Sequence, residues 1–118
     1  TPKKNIISWV KKFKNKISIY NNAIDAIRDA DVIFSDKVIS LNDKVNKSKK
    51  LKSFQKFKIT SSLIKNAKKN YIFLHCLPRG NEVEEKVFQS KNSQVWLQAL
   101  NRIHVQKSIL LYCFGKLR

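Results

Sequence analysis

The sequence of 118 residues is 42% hydrophobic, which predicts one globular domain and excludes a disordered chain. No apolar run approaches the roughly 20 residues that a membrane-spanning helix needs, so we expect a soluble protein with no membrane partner. The two cysteines lack the spacing of a disulfide framework, so we expect a protein of the reducing cytoplasm. The sequence starts at Thr1, so we expect a mature or truncated chain.

The net charge of +17 raises the question of a nucleic-acid partner. Lysine supplies 21 of the positive charges and arginine only 4, although base and phosphate recognition relies on the forked guanidinium of arginine. With 11 asparagines and 13 isoleucines, this bias is typical of an A/T-rich coding sequence and favours solvated lysine faces. We therefore expect no specific nucleic-acid partner, and a basic module that binds RNA or a membrane surface is the alternative.

The first third of the chain predicts helices that alternate with strands. Apolar residues at spacings of three and four indicate an amphipathic helix over residues 6–17, with Trp9 and Phe13 in the core. Asn21 and Asn22 can cap the helix that follows. The other elements predicted here are a strand at residues 16–20, a helix at 23–30 and a buried strand at 32–34.

The second part of the chain opens with a lysine-rich segment, residues 43–58, that has no clean period. We interpret it as a mobile loop with a helical turn at residues 51–57, and hypothesise that it is a lid. Further on, Asn81 and Glu84 have the spacing of a capping box. The other elements predicted here are a helix capped by residues 60–62, a strand at 71–74 buried on both faces, a brief strand at 94–96 and a helix at 97–114.

Apolar strands separated by helices predict an α/β fold, a Rossmann-like parallel sheet with helices on both faces. Such sheets bind ligands at the carboxyl ends of their strands. Residues 35–42 follow one predicted strand, and the run His75-Cys76-Leu77-Pro78-Arg79-Gly80 follows another. Taken alone, Ser35 and Asp36 are more typical of a turn or a helix cap than of a binding site.

The residues themselves exclude several kinds of chemistry. His75 and Cys76 are adjacent, so on a strand they point to opposite faces and cannot form a cysteine-histidine nucleophilic couple. His104 has no partner at a metal-site spacing, so we expect no metal. The chain has only two glycines, which excludes the glycine-rich loops that bind nucleotides, and we expect no cofactor. What remains indicates a site for a small zwitterionic or anionic substrate.

The segment His75-Cys76-Leu77-Pro78 resembles the substrate-domain signature of ornithine carbamoyltransferases; the related aspartate enzymes have His-Pro-Leu-Pro there. Three further segments are similar to family motifs, in family order. They are Thr1-Pro2-Lys3 for Ala-Thr-Pro-Lys, residues 36–42 for Asp-x-Trp-x-Ser-Met-Gly, and Leu100-Asn101-Arg102 for Glu-Asn-Arg. Four residues depart from these motifs: Val38 replaces tryptophan, Leu41 methionine, Asn42 glycine and Leu100 glutamate.

The resemblance implies that residues 1–118 are a partial, C-terminal ornithine-binding domain. The family's carbamoyl-phosphate-binding domain, with its Ser-Thr-Arg-Thr loop, and the first strand of the substrate domain are absent from this sequence. We therefore expect the chain alone to be inactive, and the full enzyme to be a homotrimer that acts in arginine biosynthesis. The implied substrates are L-ornithine and carbamoyl phosphate. A carbamoyltransferase for another amine is the alternative within the same class.

By the same resemblance, Asp36, Ser40, Leu41 and Cys76 bind ornithine, and Cys76, Leu77 and Arg102 bind carbamoyl phosphate. Asp36 contacts the ornithine amino group, while Ser40 and the Leu41 backbone hold its amino-acid end. Cys76 and Arg102 are the catalytic residues: Cys76 lies where the family's proton acceptor is assigned, and Arg102 donates to the carbamoyl oxygen. The Leu77 carbonyl accepts from the carbamoyl NH₂ group. A nearby cationic substrate favours the ionised form of the Cys76 thiol.

Overall fold

A computed structural model describes residues 3–13, 16–39 and 46–116. The helices in these ranges are α1 (Lys4–Val10), α2 (Ala23–Ile27), α3 (Lys47–Phe54), α4 (Ser61–Ile64), α5 (Glu85–Phe88) and α6 (Val95–Cys113), and the strands are β1 (Val32–Ser35) and β2 (Ile72–His75). Short 3-10 turns, Lys11–Phe13 and Gln55–Phe57, extend α1 and α3. None of these described helices has both the length and the apolar composition needed to cross a membrane.

The two strands pair in parallel, with Val32 opposite Ile72 and Ser35 opposite His75. The predicted α/β class with a parallel sheet is therefore confirmed. The prediction that the strand at residues 71–74 is buried on both faces was wrong, and the strand predicted as buried at residues 32–34 is buried on one face only, because the side chains of alternate residues differ sharply in exposure. Phe73 and Ile33 are buried, whereas Ile72 is 43% and Phe34 62% exposed.

Two predicted strands are absent from the described sheet. Residues 16–20 lie outside regular structure and are exposed, and no described strand pairs with them. Residues 94–96 do not extend the sheet either: only Ser93 forms an isolated parallel bridge with Phe73, and Val95 already begins α6. Alternating or apolar side chains made these segments resemble strands. Residues 16–20 have no described strand beside them, and residues 94–96 reach β2 through the N–H of Gln94 alone before α6 begins.

A side chain takes the place of a third strand at the end of β2. The backbone N–H of Phe73 donates to the Asn92 carbonyl at 2.9 Å, and Gln94 N–H donates to the Phe73 carbonyl at 2.9 Å. Two residues further along β2, the N–H of His75 donates to Gln98 Oε1 at 3.0 Å. Because Gln98 lies on α6, this bond fixes the helix to the carboxyl end of the strand.

The core lies around β2 and the residues that follow it. Phe73, Val83 and Val95 are almost completely buried, and they pack in one cluster with Ile33, Leu63, Val87 and other apolar side chains. The expectation that Trp9 and Phe13 enter this core was wrong. Their rings lie 4.9 Å apart, but they are 53% and 38% exposed, and α1 has no buried residue.

The helix ends show which capping predictions were right. Asn22 accepts from the Ile24 N–H and caps α2, and Thr60 accepts from the Leu63 N–H and caps α4. The predicted box between Asn81 and Glu84 was wrong. Glu84 Oε2 instead accepts from the N–H of Ser61 at 2.7 Å and from its hydroxyl at 2.9 Å, so its carboxylate supports the start of α4.

The lysine-rich segment is more ordered than predicted where it is described. Instead of a loop with one turn, it forms α3 from Lys47, whose start is capped by the Asn46 side chain, and a 3-10 turn that ends at Phe57. Lysine and leucine are good helix formers, and the segment has no glycine or proline to interrupt them. Residues 43–45 lie outside the described ranges, and the lid stays a hypothesis.

Candidate functional site

The parallel register of β1 and β2 places two reactive side chains together. Ser35 and His75 are the last paired residues, so Asp36 and Cys76 leave the sheet side by side at its carboxyl end. The Sγ atom of Cys76 lies 3.0 Å from Oδ1 of Asp36, and this contact is a hydrogen bond from the thiol to the carboxylate. Residues forty positions apart thus form one polar pair at the edge where α/β sheets bind ligands.

This pair favours a carboxylate next to a neutral thiol. The pKa of Asp36 is lowered, first by the Cys76 hydrogen bond and then by the Lys37 backbone N–H, which donates to Oδ1 at 2.7 Å. The pKa of Cys76 is raised, first by burial and then by the hydrogen bond to Asp36. A positive charge nearby that offsets the carboxylate would therefore favour ionisation of the thiol.

His75 points away from Cys76, as the alternation along the strand predicts. Its side chain is 0% exposed, and its ring lies between Ser35 at the end of β1 and Glu82. Nδ1 lies 2.8 Å from the Ser35 carbonyl and 2.9 Å from the Ser35 hydroxyl, while Nε2 lies 3.1 Å from Glu82 Oε1. Glu82 also accepts from the Gly80 N–H at 2.6 Å.

These contacts indicate which nitrogen of the His75 ring carries a proton. A backbone carbonyl only accepts, so the 2.8 Å contact with Ser35 requires a proton on Nδ1 of His75. Nε2 on the other side of the ring contacts Glu82 Oε1 at 3.1 Å, so polar contacts hold the imidazole from both sides. The sequence interpretation missed this network, because nothing in the local pattern around Glu82 indicates a partner seven residues earlier.

The structure places the other predicted site residues less precisely than Asp36 and Cys76. Leu77 is 42% exposed and directly follows Cys76, and its peptide bond to Pro78 is cis. Arg102 is an exposed residue of α6, and its side chain has no hydrogen bond or ion pair within the described ranges. It lies one turn, about 6 Å, beyond Gln98, so the bond from Gln98 to β2 brings this part of the helix toward the strand end. Ser40 and Leu41 lie outside the described residues.

Two adjoining cavities open beside the strand ends. One, of about 380 Å³, is lined by Asp36 and Lys37 on the strand side and by Lys50 on the helix side. The other, of about 230 Å³, is lined by Lys52, among other residues. In the described part of the chain, no group of three histidine, cysteine, aspartate or glutamate side chains could hold a metal ion. The arrangement suits a small charged organic ligand.

The chain matches a known family model over almost its whole length. Residues 1–113 match the model described as aspartate/ornithine carbamoyltransferase, Asp/Orn binding domain. One relative is the catabolic ornithine carbamoyltransferase of Thermoplasma volcanium, which is 47% identical over 98 residues, covering 81% of this chain and 32% of the relative. The anabolic enzyme of Pyrococcus furiosus is 35% identical over 123 residues, covering 99% of this chain and 39% of the relative.

Solved structures agree with these matches. The ornithine carbamoyltransferase structure from Pyrococcus furiosus superposes with a TM-score of 0.81 at 35% identity, covering 99% of this chain and 39% of that one. The anabolic enzyme of Campylobacter jejuni gives a TM-score of 0.82 at 31% identity, covering 98% of this chain and 40% of that one. The chain thus spans 32% to 40% of the length of these relatives.

Proposed function

Since the chain belongs to the aspartate/ornithine carbamoyltransferase family through its Asp/Orn-binding domain, we propose that it is the amine-binding part of an ornithine carbamoyltransferase. The observation that carries the proposal is the 3.0 Å contact between Cys76 Sγ and Asp36 Oδ1 at the ends of two paired strands. The residues match family motifs at both positions. L-Ornithine is the proposed ligand of this pair, and a different amine is the alternative substrate.

The proposed reaction joins the δ-amine of ornithine to the carbonyl carbon of carbamoyl phosphate. A C–N bond forms, the C–O bond to phosphate breaks, and the amine loses a proton, which gives citrulline and phosphate. These steps need two aligned reactants, donors for the carbonyl oxygen and a proton acceptor. The protein need not form a covalent intermediate.

Asp36 and Cys76 supply the amine end of this chemistry. Asp36 binds the substrate ammonium, because the lowered pKa keeps its carboxylate ionised. The bound positive charge offsets Asp36 and lowers the cost of ionising the Cys76 thiol, whose pKa the carboxylate and burial otherwise raise. Cys76 is then positioned to accept the proton of the reacting amine.

The remaining roles follow the family motifs. Arg102 donates to the carbamoyl oxygen and the Leu77 carbonyl accepts from the carbamoyl NH₂ group. Ser40 and Leu41 hold the amino-acid end of ornithine. Support for Arg102 comes from its place one turn after Gln98, the residue that joins α6 to β2.

The chain supplies only part of the proposed enzyme. We propose that residues 1–118 are a partial ornithine-binding domain, that the carbamoyl-phosphate-binding domain lies outside this chain, and that the full enzyme is a cytoplasmic homotrimer. The chain alone should then form no citrulline. Because relatives named anabolic and catabolic both match, the role in arginine biosynthesis stays a prediction.

Ligand binding tests the proposal directly. L-Ornithine should shift the NMR signals of the residues around Asp36 and Cys76 at millimolar concentration. Asp36→Asn should abolish these shifts, whereas Asp25→Asn should not, because Asp25 is an exposed carboxylate on α2 that pairs only with Arg28 among the described residues. Absence of ornithine binding to the native chain, or equal loss in both variants, contradicts the proposal.

A second experiment measures the reaction. The chain is expressed together with the part of the Pyrococcus furiosus relative that lies outside the match, and citrulline is assayed. Cys76→Ala should lower the rate by at least about a hundredfold, since proton transfer contributes on that order. Cys113→Ala is the matched control, because this second cysteine is exposed on α6. Citrulline formed by the chain alone would overturn the predicted inactivity.

A further inference from the structure

Arg79 directly follows Pro78 in the run after β2, and its side chain turns back onto residues further along the chain. Nη1 donates to the Val83 carbonyl at 2.7 Å, and Nη2 pairs with the Glu85 carboxylate. The guanidinium also lies over the ring of Phe88, 5.1 Å from the ring centroid. Because a planar fork can donate to a carbonyl and a carboxylate at the same time, these contacts hold the guanidinium in one orientation.

The stretch that Arg79 contacts is itself attached to the domain. The N–H of Ile59 donates to the Glu82 carbonyl at 2.9 Å, and the N–H of Glu84 donates to the Ile59 carbonyl at 2.9 Å. Val83 lies between these two bonds and is only 1% exposed. Arg79 therefore joins the segment after β2 to a stretch that belongs to the core.

The turn that Arg79 closes also returns to the end of β2. Within it, Glu82 accepts from the N–H of Gly80 at 2.6 Å and contacts Nε2 of His75 at 3.1 Å. Cys76 lies between His75 and this turn, so the direction of its thiol depends on the strand before it and on the turn after it. The strand is held by its pairing with β1, and the turn is held by Arg79.

We propose that Arg79 is a positioning residue for the proposed site, and that by closing the turn after β2 it holds the Cys76 thiol against the Asp36 carboxylate. This inference rests on the proposed function, and it adds a residue that acts through the backbone of the turn. Without the guanidinium, residues 77–82 lose their bond to the Val83 carbonyl, and the thiol is free to turn away from Asp36.

Loss of position and loss of charge move the pKa of Cys76 in opposite directions. This pKa is raised by burial, by the hydrogen bond to Asp36 and by the charges of Asp36 and Glu82, and it is lowered by the Lys37 N–H. If the thiol turns away from Asp36, its pKa falls. If Arg79 acted only as a nearby positive charge, its removal would raise the pKa, because a cation favours the thiolate. The sign of the change separates the two roles.

The test is the pH profile of iodoacetamide alkylation of Cys76 in a Cys113→Ser background, since the thiolate is the reactive form. Arg79→Gln removes both the charge and the fork, whereas Arg79→Lys keeps the charge without the planar fork. Glu85→Gln is the matched control, because it removes the ion pair and leaves the bond from Arg79 to Val83. Each profile is recorded below the thermal transition of the variant, which circular dichroism measures.

Arg79→Gln should move the profile to lower pH and raise the alkylation rate near neutral pH about tenfold, the effect of losing a hydrogen bond to a charged group. Arg79→Lys should move the profile in the same direction and less far. Glu85→Gln should keep the native profile. If Arg79→Gln does not fold, Arg79→Lys decides by the same criteria.

The inference is overturned if Arg79→Gln leaves the profile unchanged or moves it to higher pH, or if Glu85→Gln moves it as far as Arg79→Gln does. If the native chain binds L-ornithine in the NMR titration while the Arg79 variants keep the native profile, this inference fails and the proposed function stands. If the native chain binds no ornithine, the thiol has no amine substrate to serve and both fail.

Discussion

Replacing Gln98 by alanine should weaken the attachment of α6 to the carboxyl end of β2 and destabilise the fold. The N–H of His75 donates to Gln98 Oε1 at 3.0 Å, and His75 is only 1% exposed. Alanine leaves this N–H without its acceptor at a place that water reaches poorly. An unsatisfied buried donor costs about 1–3 kcal/mol. For a domain of this size each kcal/mol corresponds to a shift of about 4 °C in Tm, so we expect a decrease of roughly 4–12 °C.

Urea unfolding followed by circular dichroism measures the free energy directly. Gln106→Ala is the matched control, because Gln106 is an exposed residue further along α6 that has no hydrogen-bonded side chain within the described ranges. We expect this control to change the free energy of unfolding by less than about 0.5 kcal/mol. If Gln98→Ala shifts the midpoint no more than the control, the Gln98 side chain does not replace the third strand and does not hold Arg102 near the end of β2.

Two further predictions concern titrating groups. In a Cys113→Ser background, Asp36→Asn should lower the pKa of Cys76, because it removes the negative charge that opposes the thiolate. The pH profile of iodoacetamide alkylation should then move to lower pH. An unchanged profile would contradict the pairing of Asp36 with Cys76. Glu84 has a pKa lowered from 4.5 by its bonds to Ser61, so its stabilising effect is present above about pH 4.5 and is lost as pH falls through the lower folded value. Glu84→Gln should flatten the dependence of Tm on pH in this acidic range, and a dependence equal to that of the native chain would show that the cap contributes nothing.

The elements that the sequence predicted correctly are those whose signals are local. The α6 helix extends close to the predicted range because its periodicity continues over five turns, and a glycine at position 115 with φ of 66° follows it. The caps of α2 and α4 were predicted because Asn22 and Thr60 bond to residues two or three positions away. Short-range contacts of this kind can be inferred from residue types and spacing.

The failures involve contacts between distant parts of the chain. Residues 16–20 alternate as a strand should, but a strand needs a neighbour, and the sequence contains no information about which neighbour is available. Glu84 has the spacing of a capping box, yet its carboxylate bonds to Ser61 on another helix. For the same reason the buried bond between His75 and Glu82 was not predicted.

The central pair of the site was predictable for a physical reason that does not depend on the family. Parallel strands end at the same edge, so the residues directly after β1 and β2 meet whenever the strands are paired without offset. Alternation along β2 then assigns adjacent residues to different tasks: His75 turns inward and bonds to Ser35, which ties the two strand ends together, and Cys76 reaches Asp36. A shift of one residue in the register would exchange these directions and place the thiol in the core. The inward histidine therefore helps to maintain the register on which the Asp36–Cys76 contact depends.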